Sequence, residues 1–467
     1  MDAFKARISV SHSETMGLLL SLIYGAAHFI PRVYYGSSDS SLDVKAAKDS
    51  VKTCRESMRT FIETRCPSIL NKYIPAWWLF SGHLQVAYCA FGDFSDVDLM
   101  EYDRTLLRTI DGGTIGLDFS PPESARNLRE DTPIVIVLHG LTGGSSESYV
   151  RAVLYPICAP EIQGGLGYRG VVVMFRGCAG VPLTSPQLYC AGNTDDIRMA
   201  VYYIRKKYPR APLIGVGFSI GANILARYLA EEGEDSRMIA GCTLCSPSNV
   251  AENSDLLEGS WFCRTVYSTA LGQNMQDIVK MHAERLNTFD HPIRKAVLAT
   301  LSLSRPTMWV FDDHMTRLFG GPSPPFPMRT VREYYEWSSS HKMLSKIRVP
   351  FLAFHDEDDP IVQAQPAYDL GGSAMVAIVV TKKGGHLGWF QSAGGFRVTR
   401  WTTKPVIEWV RAVAEGIVPR FPERRSLREV DGFITEAGRE DIGCFALEEK
   451  VLIDPCPECE SSSRLSS

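Results

Sequence analysis

Short runs of aliphatic and β-branched residues recur from about residue 114 to residue 380. Most of them are apolar at consecutive positions, which is typical of strands buried on both faces of a parallel sheet. The predicted strands cover residues 114–119, 133–138, 170–175, 213–217, 239–245, 351–355 and 375–380.

Segments with helical periodicity separate these strands. Residues 193–209 begin with Asn and Thr, which cap helices, and end in basic residues before a proline. Residues 220–233 and 404–416 each follow a predicted strand and close on a glycine. Because strands and helices alternate, the sequence predicts an α/β fold with a mostly parallel, doubly wound sheet of the α/β-hydrolase type.

The same pattern divides the chain into four parts. Residues 106–250 and 348–420 form the predicted core, and residues 1–105 precede it as an extension of helices and loops. Residues 251–347 are rich in helix formers, aromatic residues and prolines, which indicates a lid inserted into the core. Residues 421–467 read as a polar tail whose last ten residues are disordered.

The composition excludes some classes of function. With 467 residues, 22% of them charged, and a net charge of -4, the chain lacks the basic balance of a nucleic-acid-binding protein. The 12 cysteines lie mostly in apolar runs at irregular spacings, which favours reduced thiols over a disulfide framework. Cys456 and Cys459 form one C-x-x-C pair with no second ligand pair nearby, so neither a metal nor a cofactor is predicted.

The apolar stretch at residues 16–30 is short for a membrane-spanning helix and contains His28. No signal-peptide cleavage site is evident, so we expect an intracellular protein, cytoplasmic or peripheral to a membrane or lipid droplet. Two interpretations stay open. The stretch is a helix of the fold, or it contacts a lipid surface together with Trp77 and Trp78.

Residues 215–223, GVGFSIGAN, contain the G-x-S-x-G pattern of a nucleophile elbow around Ser219. The glycines also resemble a phosphate-binding loop, but their spacing and mid-chain position differ from the dinucleotide fingerprint. Gly217 and Gly221 stand where a strand-to-helix turn brings backbones close together. Ser219 is therefore the predicted nucleophile.

A nucleophilic serine needs a base and an acid that orients the base. His386 lies between glycines after the last predicted strand, where the base is expected. The preceding strand ends in four acids, of which Asp359 is the preferred orienting residue and Asp358 the alternative. Asp356 and Glu357 are interpreted as solvated neighbours.

The oxyanion hole requires two backbone N–H groups directed at one point. Ile220, next to the nucleophile, supplies one in this interpretation. Leu141, in the loop HGLTGG that follows the strand at 133–138, supplies the other. His139 in the same loop is expected to be structural rather than chemical.

Several motifs together resemble the AB hydrolase 4 family of the α/β-hydrolase superfamily, over roughly residues 75–415. Its members include bacterial hydrolases, animal phospholipase-type proteins and yeast ethanol O-acyltransferase/esterases, and the stretch around RGCAG is most similar to the fungal ones. GHLQV, where the family commonly has GHLQT, and the long tail are departures. The motifs are GHLQ at 82–85, DGGTIGLDF at 111–119, HGLTGGS at 139–145, FRGCAG at 175–180, LYCAGNTDDIR at 188–198, GFSIGANIL at 217–225, DDPI at 358–361 and GGHLGW at 384–389.

This resemblance implies an acyl-ester substrate and a triad of Ser219, Asp359 and His386. The predicted function is a serine-dependent carboxylic ester hydrolase that acts on short- to medium-chain acyl esters through an acyl-enzyme. One alternative is an alcohol O-acyltransferase that makes ethyl esters from acyl-CoA and alcohol, although no second H-x4-D motif is present. The other is a non-catalytic lipid-binding scaffold on the same fold. Four lid aromatics serve either as an apolar wall for the acyl chain or as the lid's own core: Trp309, Phe311, Tyr334 and Tyr335.

Overall fold

The structure is a computed structural model. It describes residues 29–36, 42–45, 52–364, 373–418 and 425–453. The C-x-x-C motif, the last ten residues and all but the end of the apolar N-terminal stretch lie outside the described residues, so the predictions made for them stay predictions.

Twelve of the described strands form one sheet, in the order β1-β11-β10-β9-β8-β6-β7-β5-β4-β16-β15-β14, and β2–β3 and β12–β13 form two hairpins. The strands are β1 (Arg32–Tyr35), β2 (Leu42–Lys45), β3 (Thr53–Glu56), β4 (Tyr102–Thr109), β5 (Thr114–Ser120), β6 (Ile134–Leu138), β7 (Arg169–Met174), β8 (Leu213–Phe218), β9 (Ala240–Leu244), β10 (Phe351–Asp356), β11 (Val376–Thr381), β12 (Phe390–Ser392), β13 (Val398–Arg400), β14 (Leu427–Val430), β15 (Phe433–Glu436) and β16 (Arg439–Ile453).

The middle of the sheet is parallel. Strands β7, β6, β8, β9, β10 and β11 run side by side in one direction, with Leu138 level with Gly217 and Phe218 level with Leu244. Strand β5 joins β7 antiparallel and β4 joins β5 antiparallel. Every residue of β6, β8 and β9 is buried, because helices cover both faces. The predicted α/β fold class is confirmed.

The described α-helices surround this sheet, mostly in the connections between strands. They are α1 (Met58–Arg65), α2 (Gly82–Phe91), α3 (Ser148–Cys158), α4 (Asp195–Lys207), α5 (Ile220–Glu232), α6 (Val250–Gly259), α7 (Trp261–Cys263), α8 (Thr269–Met281), α9 (Ala283–Leu286), α10 (His291–Leu301), α11 (Met308–Phe311), α12 (Arg317–Phe319), α13 (Val331–Ser338) and α14 (Thr403–Gly416).

Alternate side chains of each central strand enter two separate core layers. In β6, Ile136 packs in one layer and Val137 in the other. Helices α4 and α5 cover the first layer, for example through Ile224, while α3 and α14 cover the second, for example through Trp409. This alternation follows from the two-residue repeat of a strand, since successive side chains point to opposite faces.

Between β9 and β10 the chain forms helices α6 to α13, two π-helical turns, Arg264–Ser268 and Asp312–Thr316, and a 3-10 helix, His341–Lys346, joined by loops. The sequence-based division of the chain into a core and a lid at residues 251–347 stays a prediction. None of the helices in the described part of the chain has both the length and the apolar run needed to cross a bilayer.

At both of its edges the sheet contains strands that the sequence pattern did not predict. Strand β1 pairs antiparallel with β11 at one edge of the sheet. At the other edge β16 pairs with β4, Cys444 lying level with Thr109, and β15 and β14 follow. Much of the expected polar tail is thus part of the sheet, and its outer strand Leu427–Val430 is largely exposed, which explains its polar sequence.

Candidate active site

Ser219 stands at a sharp turn between β8 and α5. Its backbone has φ 52° and ψ -121°, a conformation that is rare for a residue with a side chain and costs about 1–3 kcal/mol. The flanking glycines make this turn fit. A Cβ at Gly217 would lie 2.7 Å from the Cα of Ala222, and one at Gly221 would lie 2.5 Å from the carbonyl oxygen of His139. The hydroxyl of Ser219 is thereby presented, partly exposed, at the carboxyl edge of the sheet.

Three side chains form a continuous chain of hydrogen bonds at this edge. The Oγ of Ser219 lies 2.9 Å from Nε2 of His386, and Nδ1 of His386 lies 2.8 Å from Oδ2 of Asp359. Asp359 and His386 are buried. With Nδ1–H donated to the carboxylate, Nε2 is left as the acceptor for the serine hydroxyl, which is the tautomer a general base needs.

The two neighbouring aspartates have different surroundings. The second oxygen of Asp359 accepts hydrogen bonds from the N–H groups of Ile361 and Val362, both at 2.8 Å. Asp358 instead accepts from the N–H of Gly82 at 2.7 Å and faces Lys383 at 3.3 Å. Of the two carboxylates that the sequence left as candidates, Asp359 is the one that contacts His386.

The expectation that Asp356 is solvated is wrong. It is buried, and its carboxylate accepts hydrogen bonds from the hydroxyl of Thr381 and from the N–H groups of Gly384, Gly385 and Asp358, at 2.7 to 3.1 Å. The reason is the order of the strands. Because β10 and β11 are neighbours, a carboxylate that ends β10 lies beneath the loop that follows β11, where backbone donors need an acceptor.

Glu357, also expected to be solvated, is only partly so. Its side chain is 24% exposed and pairs with Arg32 on β1 and with Lys382, 3.4 Å away. The pair with Arg32 joins strand β1 to the end of β10, so this glutamate contributes to the edge of the sheet rather than to the chemistry.

Helix α2, which begins with the GHLQ motif, packs against the loop that carries His386. Gln85 is fully buried; its amide donates to the carbonyls of Leu79 and Phe390 and accepts from the N–H of Phe390 at 2.7 Å. Gly385 has φ 60°, and a Cβ there would lie 2.5 Å from the carbonyl oxygen of Gly82. The motif is therefore explained by close packing against the residues around His386.

Cys245, at the end of β9, was not identified from the sequence as part of the site. Its buried Sγ accepts a hydrogen bond from the N–H of Leu387 at 3.4 Å and faces the carbonyl of Gly385 at 3.8 Å. The thiol thus contacts the residues on both sides of His386. Burial, reinforced by the charge of Asp359, raises the pKa of this thiol well above its usual value, so it is protonated.

The sulfur of Cys245, a carboxylate oxygen of Asp359 and a ring nitrogen of His386 all lie within 4.8 Å of one another. Sulfur, oxygen and nitrogen donors at such spacing are ligands that zinc accepts. A metal ion could use them only by displacing the proton that joins Asp359 to His386 and the proton on the thiol. Such binding would break the hydrogen bond between Asp359 and His386.

The two predicted oxyanion donors lie beside Ser219. Ile220 is the first residue of α5, so its N–H has no acceptor within the helix. Leu141 follows Gly140, where an added Cβ would be 3.6 Å from the Cβ of Ser219, so the loop that carries Leu141 packs against Ser219. The next residue, Thr142, has φ 56° and donates its N–H to the hydroxyl of Tyr189 at 3.1 Å, which fixes the loop.

His139 has a structural environment, as expected. Its Nδ1–H donates to the carbonyl of Gly140 at 2.7 Å, and its Nε2 accepts from the N–H of Phe175 at 3.3 Å. Burial lowers its pKa to about 4, so the ring is neutral and holds the start of the loop.

The insertion contacts the site through buried amides. Asn253 of α6 donates to the carbonyl of Ile361 at 3.0 Å and accepts from the N–H of Gln363 at 2.8 Å, just after Asp359. Asn223 of α5 donates to the carbonyls of Ala191 and Ser338 at 2.8 and 2.9 Å. The helices of the insertion therefore help to position both the loop that carries Asp359 and helix α5, which follows Ser219.

Three of the four lid aromatics are buried where the insertion packs against the rest of the fold. Phe311, Tyr334 and Tyr335 are buried, the hydroxyl of Tyr335 donates to Asp312 at 2.7 Å, and the hydroxyl of Tyr334 accepts from a backbone N–H. Their position matches the lid-core interpretation. Trp309 is only partly buried and packs against the same apolar cluster as Ile220.

Comparison with known proteins identifies the family. A family model described as the alpha/beta hydrolase fold matches residues 133–393, more than half of the chain. The chain belongs to the α/β-hydrolase family.

The alignments with curated relatives cover most of this chain. It is 29% identical to a Saccharomyces cerevisiae monoacylglycerol lipase, over 76% of this chain and 84% of that protein. It is 29% identical to Homo sapiens phospholipase ABHD3, over 80% and 85%, and 26% identical to the S. cerevisiae medium-chain fatty acid ethyl ester synthase/esterase 2, over 74% and 89%. The resemblance to fungal esterases inferred from the motifs is confirmed.

Proposed function

We propose that the protein is a serine-dependent carboxylic ester hydrolase that acts on lipid-like acyl esters through an acyl-enzyme. The observation that carries the proposal is the unbroken hydrogen-bond chain from the partly exposed Ser219 through His386 to Asp359, at 2.9 and 2.8 Å. A fold supports many activities, so the argument rests on this site rather than on family membership.

In the proposed reaction His386 accepts the hydroxyl proton as the Oγ of Ser219 attacks the ester carbonyl. The N–H groups of Ile220 and Leu141 stabilise the oxyanion, and Asp359 stabilises the imidazolium. The imidazolium then gives its proton to the leaving alcohol, and the acyl group stays on the serine. Water, deprotonated by the same imidazole, attacks the acyl-enzyme and releases the acid, which restores the free hydroxyl.

Three relatives support a lipid-like substrate, since their names describe a monoacylglycerol lipase, a phospholipase and an ethyl ester synthase/esterase. Ile220, Trp309 and Val250 are partly buried and pack against one apolar cluster. In this proposal the cluster contacts the acyl chain while the ester carbonyl lies at Ser219. We accordingly interpret residues 251–347 as a lid, residues 106–250 and 348–420 as the catalytic core, and residues 1–105 as an extension that supports the base loop.

A fluorophosphonate probe tests the nucleophile. We expect the full-length protein to be labelled once and the Ser219→Ala variant to be unlabelled, with the two melting at the same temperature within about 2 °C. Labelling that survives in the variant would show another nucleophile. A folded wild-type protein that does not react with the probe would support the non-catalytic scaffold instead.

Transfer to alcohol is a second candidate, favoured by the ethyl ester synthase/esterase relative. The Oγ of Ser219 would then attack the thioester of acyl-CoA, CoA would leave as the free thiol with the proton from His386, and an alcohol in place of water would accept the acyl group from the serine. Release of acid and of ethyl ester is to be measured for a series of acyl-chain lengths with and without ethanol. If the fraction of acyl groups released as ethyl ester is well above the ratio of ethanol to water, the protein is a transferase. If that fraction follows the ratio of ethanol to water, the protein is a hydrolase.

A further inference from the structure

Large apolar side chains are exposed on three segments around the start of α2. Trp261 is 71% exposed and Phe396 is 60% exposed, although Trp and Phe gain most from burial. Neighbouring positions on the same segments are exposed as well. We name this set the aromatic rim, which consists of Phe80, Leu84, Trp261, Phe262, Val266 and Phe396.

Ring contacts join the three segments into one surface. The ring of His83 packs edge-on against Phe262 with centroids 5.4 Å apart, and its Nδ1 lies 2.6 Å from the hydroxyl of Tyr267 on the π-helical turn. On the other side, Trp77 contacts Phe396 with centroids 5.3 Å apart. The rim is therefore one continuous patch rather than scattered exposed residues, and patches of this kind mark interaction surfaces.

The rim lies next to the loops of the candidate site. Gly82, between Phe80 and Leu84, donates its N–H to Asp358, the neighbour of Asp359, and its carbonyl oxygen is in close contact with Gly385, the neighbour of His386. Any surface that covers the rim is consequently held beside the acid and base loops.

The chemistry of the rim fits a lipid surface. Tryptophan and phenylalanine occur together with the exposed Arg264 and Arg397, a combination that suits the boundary between acyl chains and anionic head groups. A folded protein partner would leave the arginines needing specific carboxylates, whereas a lipid surface satisfies them in any register.

The end of the described chain points the same way. The described residues begin at Phe29, which bridges to Tyr73, a few residues before Trp77. Ile30 and Ile74 are exposed at this bridge. The preceding residues, 16–28, are mostly apolar in sequence. The bridge between Phe29 and Tyr73 thus adds two exposed apolar side chains, Ile30 and Ile74, a few residues before Trp77.

We propose that the aromatic rim is a lipid-binding surface that seats the mouth of the site on a bilayer or lipid monolayer. The proposal rests on the proposed function in one respect: the surface would let a lipid ester pass from the lipid phase to Ser219. Each rim aromatic that inserts removes apolar surface from water, and the gain is lost on truncation to alanine.

Vesicle flotation of the full chain tests the surface. The vesicles are phosphatidylcholine with one fifth phosphatidylserine, and the variant is the double substitution Trp261→Ala with Phe262→Ala. We expect its partition coefficient to fall about ten-fold or more, since each aromatic contributes at least about a factor of three. Phe396→Ala is expected to fall by a smaller factor in the same assay.

Ile162→Ala is the matched control, because Ile162 is 95% exposed on a different segment and is expected to leave binding unchanged. Melting temperatures confirm that all variants are folded. Ser219→Ala is expected to bind vesicles like the wild type, so failure of the proposed catalysis would leave this test intact.

Wild-type-like binding by the double variant would overturn the proposal. Binding that disappears when phosphatidylserine is left out, yet does not respond to loss of the aromatics, would overturn it as well, because attraction between charges alone would then explain it. An equal loss in Ile162→Ala would show a general effect of apolar surface rather than a defined site.

Discussion

Asp358 and Asp359 show how one position in the chain changes the role of a carboxylate. Asp359 has its two oxygens directed at His386 and at two backbone N–H groups, whereas Asp358 contacts Gly82 and Lys383. The sequence identified the acidic turn but left both residues as candidates. The choice between them depends on which side chain of the turn points toward the histidine loop.

For Asp359→Asn we expect kcat on a soluble ester to fall by about 10⁴-fold, because an amide can donate to Nδ1 and stabilise the wrong tautomer of His386. Asp358→Asn keeps an acceptor for Gly82 and is the matched control, with an expected change of no more than a few-fold. Steady-state kinetics on a short p-nitrophenyl ester measures both. Equal losses in the two variants would argue against the assignment of Asp359.

Cys245 is expected to act as a positioning residue. Cys245→Ala removes the acceptor for the N–H of Leu387 and loosens the loop that carries His386, so kcat should fall about five- to ten-fold while KM changes little. Cys54→Ala, at an exposed thiol, is the control and should change neither constant. A rise in KM at constant kcat would instead indicate that the thiol contacts substrate.

At the scale of elements, the strands were the most predictable part. Seven strand positions agree with the structure to within one or two residues, because both faces of these strands are buried and their sequences are continuously apolar. The insertion was predictable as a helical segment, but the interactions inside it were not. Its π-helical turn at Asp312–Thr316 places a carboxyl group in the interior, which no sequence pattern indicates.

That carboxyl group gives a pH-dependent prediction. Burial raises the pKa of Asp312 from 3.8 to about 7, so the folded protein binds its proton more tightly than the unfolded chain does. Stability from this residue is therefore greatest below about pH 4 and is lost as the pH rises to about 7, by at most about 4 kcal/mol.

Asp312→Asn keeps an acceptor for Tyr335 but does not titrate. We expect the difference in melting temperature between pH 5 and pH 8 to be smaller in this variant than in the wild type. Asp313→Asn, at the neighbouring exposed carboxylate, is the control and should retain the wild-type difference. A melting-temperature difference in Asp312→Asn equal to that of the wild type would show that Asp312 is ionised in the folded protein at both pH values.

At the scale of the molecule, the C-terminal strands are part of the sheet. Glu436 on β15 pairs with Arg237 at 2.7 Å and accepts a hydrogen bond from Tyr202 at 3.1 Å, and both ends of the ion pair are buried. Glu429 on β14 is exposed and pairs with Lys206 at 2.6 Å. The two glutamates lie on the same hairpin, but the ion pair of Glu436 is buried and that of Glu429 is exposed.

Glu436→Ala should lower the free energy of unfolding by about 3 kcal/mol, because it leaves Arg237 buried without its partner. Glu429→Ala should change it by less than about 0.5 kcal/mol, since an exposed ion pair is screened by water. Chemical denaturation measures both values. Similar small effects would mean that the hairpin separates from the sheet before the core unfolds.

The sequence by itself determined the order of the seven central strands and the helices between them, the elbow around Ser219, the loop that carries His386 and the family. These features depend on local patterns: continuous apolar runs, glycines where backbones meet, and residues placed after strands. The tertiary structure alone decided the choice of Asp359, the burial of Asp356, the contacts of Cys245 and the joining of β16 to β4. Each of these depends on which strands become neighbours, and that is set by packing between residues far apart in the chain.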